Sequence, residues 1–117
     1  MLSDKAGELG RLIGQSAEYQ ALKRANAALQ EDATLMEALH RMDALRDEAQ
    51  RMIARGEQPT EAMEQELEQL LGGIQANVLY QRMLSANENF DKVMVQVNQW
   101  ITEGIKRGAT SSIITLG

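Results

Sequence analysis

Between Asn77 and Ile105 the chain reads NVLYQRMLSANENFDKVMVQVNQWITEGI, without proline and with one glycine, Gly104. Leu79, Met83, Ala86, Phe90, Val93, Val97 and Trp100 follow one another at alternating steps of four and three. That spacing places them on a single helical face, and an apolar face of this kind must be covered. At 1.5 Å per residue, a helix of about 29 residues reaches roughly 43 Å. The fold has to supply a partner surface along much of that length.

The stripe broadens toward its end. Phe90, Val93, Val97 and Trp100 make one row, and Met94, Ile101 and Ile105 make a second beside it. Two rows call for two neighbours: a helix of the same chain, and either the N-terminal helices or a second copy. The length mismatch favours a second copy, because large exposed apolar patches mark interfaces and helical seams pair readily by symmetry. The expected interface is Met83, Phe90, Val93, Met94, Val97, Trp100, Ile101 and Ile105. The expected assembly is an antiparallel or crossed homodimer, or a tetramer.

The preceding segments read as further helices. Ser3 is placed to cap a short helix from Asp4 to Ile13, with Gly14 as its left-handed stop. Ser16 caps the next, where Tyr19, Leu22, Ala25 and Leu29 share one side. Asp32 reads as a cap at a bend. Leu35, Ala38, Met42, Leu45, Ala49 and Met52 then form an a/d seam, widened by Leu39 and Ile53. Arg55 suits the negative end of that helix and Gly56 its stop. After a tight turn at Pro59, Thr60 caps a helix carrying Met63, Leu67, Leu70 and Ile74. Gly72–Gly73 predicts a kink, or a short break before Asn77, since each glycine costs about 1 kcal/mol in a helix relative to alanine. The short turn makes the helices flanking Pro59 antiparallel neighbours.

The expected fold is therefore all-α: an elongated antiparallel helical hairpin or bundle of four to five helices. Its single domain covers residues 1–107. Residues 108–117 are small, hydroxylated and β-branched, and read as a flexible tail that could also add as a strand to a partner.

Composition narrows the function. There are 117 residues, enough for one domain. The absence of cysteine removes disulfides, thiolate metal sites and thiol nucleophiles. The net charge of −5 argues against a protein that lives on phosphate contacts, so direct nucleic-acid binding is not expected. No apolar run approaches the roughly 18 residues of a membrane helix. The N-terminal stretch lacks the apolar core of a secretory signal, which makes the cytoplasm the expected location.

Chemical motifs are few. Glu37-x-x-His40 has the spacing of a di-iron ligand pair, but such a site needs two pairs and two further glutamates facing inward. With Leu35 at an a position, Glu37 and His40 fall on the outer face. Glu61, Glu64, Glu66 and Glu68 spread around their helix and read as a solvated surface rather than an acid–base pair. No phosphate-binding, dinucleotide or nucleophile-elbow pattern occurs. The methionines read chiefly as flexible core filler. The chain reads as a non-enzyme without cofactor, acting through self-association and protein partners. The alternative from another class is a helical bundle that binds a metal or small ligand.

A family resemblance sharpens this. Ser16, Glu18, Tyr19, Leu22, Lys23, Leu29, Asp32 and Leu39 resemble the N-terminal signature of the bacterial YlbF/YmcA family, and Asn77, Leu84, Ala86, Phe90, Val97 and Ile101 resemble its final helix. The resemblance spans roughly Leu9 to Ile105. It implies a small helical cytoplasmic protein that associates with itself and with related members. For the Bacillus representatives it implies a regulatory role, in a complex that modulates the ribonuclease controlling messenger RNA turnover and so biofilm formation, competence and sporulation. Some members carry cysteines and take part in iron–sulfur binding. No cysteine stands anywhere in this sequence, so no cluster is expected.

Overall fold

The computed structural model describes the backbone of residues 1–116 and the side chains of residues 1–110. Five helices follow in order: α1 (Leu2–Gly14), α2 (Ala17–Glu31), α3 (Ala33–Ala54), α4 (Glu61–Ala76) and α5 (Val78–Leu116). No strand occurs among the described residues. The all-α expectation holds.

Local chemistry sets most of the boundaries. Ser16 Oγ accepts from the Tyr19 N–H at 3.2 Å and Asp32 Oδ1 from the Leu35 N–H at 3.0 Å. Thr60 Oγ1 accepts from the Met63 N–H at 3.2 Å. Each is an N-cap that satisfies an otherwise orphaned donor. α3 is stopped by Gly56, two residues past its last helical residue, whose φ of +81° is the left-handed conformation that glycine adopts freely. The Gly56 and Glu57 N–H groups then donate back to the Ile53 and Met52 carbonyls, closing a Schellman turn. Asn77 separates α4 from α5: its Oδ1 accepts from the N–H groups of Leu79 (2.8 Å) and Tyr80 (3.3 Å).

Three local expectations are corrected. Ser3 does not cap α1; the helix already begins at Leu2, with Met1 at the N-cap and no side-chain cap. Gly14 is not a left-handed stop. It is helical, and the chain turns at Gln15 with φ −88° and ψ −7°. Of the kink or short break expected at Gly72 and Gly73, the break falls later, at Asn77, where a cap is available, and α4 runs on to Ala76.

α3 and α4 lie antiparallel about the Pro59 turn, and the Arg41 guanidinium on α3 grips the Glu66 carboxylate on α4 through bonds of 2.7 and 3.0 Å. α2 lies antiparallel to α5: Tyr19 meets Phe90, while Leu29 joins the cluster containing Leu79 and Met83. The principal partner of α5 within the chain is thus α2, not its hairpin neighbour α4. The two helical pairs join at a core of Leu29, Leu35, Met42 and Ile74, with Met36, Leu70, Tyr80 and Met83 packed around it. Ile74 is its most enclosed side chain at 1 % exposure. Ile53, expected to widen the α3 seam, is 62 % exposed because α4 covers only one side of α3.

The molecule extends 69 × 37 × 21 Å with a radius of gyration of 21.8 Å. A compact chain of this length has a radius of gyration of about 13 Å. α5 accounts for much of the elongation, since its 39 residues correspond to roughly 58 Å. It continues through residues 108–110 instead of ending near Lys106. There Thr110 Oγ1 donates to the Lys106 carbonyl one turn earlier at 2.8 Å. The tail expected over residues 108–117 includes the side chains of residues 111–117, which lie outside the described residues.

Candidate interaction surface

The apolar stripe of α5 divides into a covered and an uncovered part. Along the first part, α2 and the central core close over it. Met83 packs against the core, and Ala86 is 8 % exposed. Phe90, Val93 and Met94 are half-buried, and Val97 is 6 % exposed. Beyond Val97 the cover ends among the described residues. Every residue from Asn98 to Thr110 is exposed. Trp100 is 58 % exposed, Ile101 44 % and Ile105 65 %.

The cause is geometric. α2 is 15 residues long, about 22 Å, and cannot span α5. α1, which could have continued the cover, turns away. Among the described residues no α-carbon of α1 comes within 8 Å of one in α5. Of the residues expected at the interface, Val97 is buried within the protomer, and Met83 is half-buried against its core. Phe90, Val93 and Met94 keep one side free, and Trp100, Ile101 and Ile105 are presented outright.

A second apolar face lies outside the sequence expectations. Leu2, Ala6, Leu9 and Ile13 follow at steps of four, three and four along α1. No residue of α1 is buried. Leu9 and Ile13 are half-buried, and Leu2 and Leu12 are exposed. The signal is present in the spacing; the shortness of the helix obscures it.

Other candidate sites are less developed. Glu37 and His40 are both exposed on the outer face of α3. Among the described residues no group of three metal-ligating side chains converges. A mostly apolar cleft of about 240 Å³ opens between α3 and α4, lined by Asp32, Leu35, Ala38, Leu70, Gly73 and Asn77. That is smaller than the few hundred Å³ usual for ligand pockets, and of its polar lining residues Asp32, Thr34, Gln69 and Asn77, Asp32 and Asn77 already serve as helix caps. The hydrogen bond and charge of Arg41 hold the Glu66 carboxyl below its ordinary value, and Glu66 raises Arg41 in return. This exposed pair clamps α3 to α4 and shows no sign of acid–base chemistry.

Over residues 2–106 the sequence matches the family described as "Control of competence regulator ComK, YlbF/YmcA". The chain belongs to the YlbF/YmcA family. As a YlbF/YmcA protein it is also similar to several bacterial relatives named UPF0342 protein. One from Limosilactobacillus reuteri is 26 % identical over 103 residues, covering 88 % of this chain and 84 % of the relative. One from Alkalihalophilus pseudofirmus is 28 % identical over 103 residues, with coverages of 88 % and 87 %. A third, from Bacillus mycoides, is 24 % identical over 105 residues and covers 90 % of each chain. The YlbF/YmcA family is a regulatory one by its description, and its match covers every helix, reaching well into α5. Among the described residues no helix is long and apolar enough to cross a membrane.

Proposed function

We propose that this protein is a non-enzymatic cytoplasmic adaptor that assembles with itself through the uncovered end of α5 and, once assembled, engages other proteins. The reading is supported chiefly by one observation: a regulatory-family chain presents Trp100, Ile101 and Ile105 to solvent on the same face that forms its own core. Ordinary monomers rarely leave so continuous an apolar surface open. The assembled unit is a homodimer, or a tetramer built from it. Its downstream partners are related family members or a ribonuclease-associated complex, and its output is a change in messenger RNA turnover that feeds competence, biofilm or sporulation control.

The test uses a strain lacking the gene, complemented with wild type or with the Ile101→Asp/Ile105→Asp variant. Messenger half-lives are measured after transcription is stopped. The reading expects half-lives altered in the deletion, restored by wild type and not by the variant. Unchanged half-lives in the deletion would rule out the RNA-turnover output, and full restoration by the variant would rule out the role of α5.

A further inference from the structure

Two apolar faces of the protomer keep uncovered side chains, α1 in part and the end of α5 throughout, and they match in length. α1 spans 13 residues, and the exposed stretch of α5 from Asn98 to Thr110 spans the same length. The α1 stripe of Leu2, Ala6, Leu9 and Ile13 is a narrow ridge. The α5 face carries Trp100, Ile101 and Ile105 beside Gly104 and Gly108, four residues apart. An added Cβ at either glycine meets nothing within 4 Å. The two glycines form a shallow groove between larger side chains, into which a helical ridge can settle.

α1 cannot reach that groove within its own chain without rebuilding the corner that joins it to α2. Ser16 Oγ donates to the Ile13 carbonyl at 2.6 Å, and Gln20 Nε2 donates to the Gly14 carbonyl at 2.7 Å. The N–H groups of Gln15 and Ser16 donate back to the Arg11 and Ile13 carbonyls. These bonds fix the corner between α1 and α2, and no α-carbon of α1 comes within 8 Å of a described one in α5. The occupant has to come from another molecule.

The exposed area agrees. A compact protein of 13.0 kDa exposes about 6,300 Å². This protomer exposes 8905 Å², roughly 2,600 Å² more. An obligate dimer buries about 2,000–5,000 Å² over both partners, so a reciprocal exchange of two helical faces lies within what the protomer has to offer.

We propose that α1 of one protomer lies along the Asn98–Thr110 face of α5 in a second copy, and that the second copy returns its own α1 in the same way. The proposal rests on the self-association reading above and specifies which surfaces meet. It makes α1 part of the assembly interface instead of an appendage.

The absence of cysteine allows a clean test. The double variants Leu9→Cys/Ile101→Cys and Leu9→Cys/Ile105→Cys are purified, checked for wild-type helicity, oxidised and examined by non-reducing electrophoresis and peptide mapping. Light scattering of the wild type is run alongside. The expected result is a cross-linked species of twice 13.0 kDa, with position 9 of one chain joined to position 101 or 105 of another. A bond closed within one chain would overturn the proposal. So would a dimeric wild type that links only position 101 to 101, or forms no link; self-association would then stand without the exchange of α1. A wild type of 13.0 kDa would overturn both readings.

Discussion

The rings of Tyr19 and Phe90 meet edge to face, with centroids 5.4 Å apart and planes inclined by 60°. Tyr19 lies in the first turn of α2 and Phe90 a third of the way along α5, so this pair fixes where cover from α2 begins to run out. Beyond it the same face of α5 soon emerges into solvent.

Removing one ring should loosen that junction. Phe90→Ala is expected to cost about 2–3 kcal/mol, less than a fully enclosed phenylalanine because Phe90 is only half-buried. Tyr19→Phe keeps the ring pair and should remain within about 0.5 kcal/mol of wild type. Urea titration followed by circular dichroism reads both. Equal losses for the two variants would mean that the ring contact is not what holds α2 to α5.

Ile74 anchors the meeting point of the four longer helices. Ile74→Ala should cost about 3–4 kcal/mol through lost transfer energy and a residual cavity. Ile53→Ala, at a side chain 62 % exposed, should stay within about 0.5 kcal/mol. Thermal or urea unfolding distinguishes them.

Gly73 sits within α4 with nothing within 4 Å of an added Cβ. Gly73→Ala should therefore stabilise the protein by about 0.5–1 kcal/mol. Asn77→Ala, at the true break, should destabilise it by about 1 kcal/mol through loss of the cap. If both changes destabilise, α4 requires glycine for a reason other than helix propensity.

Glu66 gives a signed dependence on pH. Its carboxyl is held below the ordinary value of 4.5, first by the Arg41 hydrogen bond and also by the Arg41 charge. A depressed carboxyl contributes stability above its unfolded value and loses it as pH falls through the folded one. The pair is exposed, so the effect is small and screened by salt. Glu66→Gln should lower the melting temperature slightly near pH 7, and the difference should close as the pH is taken below 4.5. A difference that widens on acidification would contradict this assignment.

Much of the fold was legible because its signals are local. The caps at Ser16, Asp32 and Thr60 and the stop at Gly56 each depend on a few neighbouring residues. The seam containing Leu35, Met42 and Leu45 and the stripe of α5 were visible as steps of three and four. Pairing was less legible: the stripe of α5 shows that a neighbour is needed but not whether α2 or α4 provides it. Ser3 misled because the helix already begins at Leu2, which leaves no orphaned donor for it to cap, and Gly14 because glycine permits a left-handed stop without requiring one. The interface residues were read as one set, yet the depth of each depends on where α2 ends. That is why Val97 lies inside the protomer while Trp100, Ile101 and Ile105 lie outside it.

Phe90 and Val97 are poor targets for testing assembly, since charges there would also disturb the protomer. Trp100, Ile101 and Ile105 are free of that ambiguity. The most direct measurement is the molar mass by light scattering of wild type and of Ile101→Asp/Ile105→Asp, with helicity checked for both. Wild type is expected at no less than twice 13.0 kDa, and the variant at 13.0 kDa with its helices intact. A wild type already at 13.0 kDa, or a variant that remains assembled, would contradict assembly through the open end of α5.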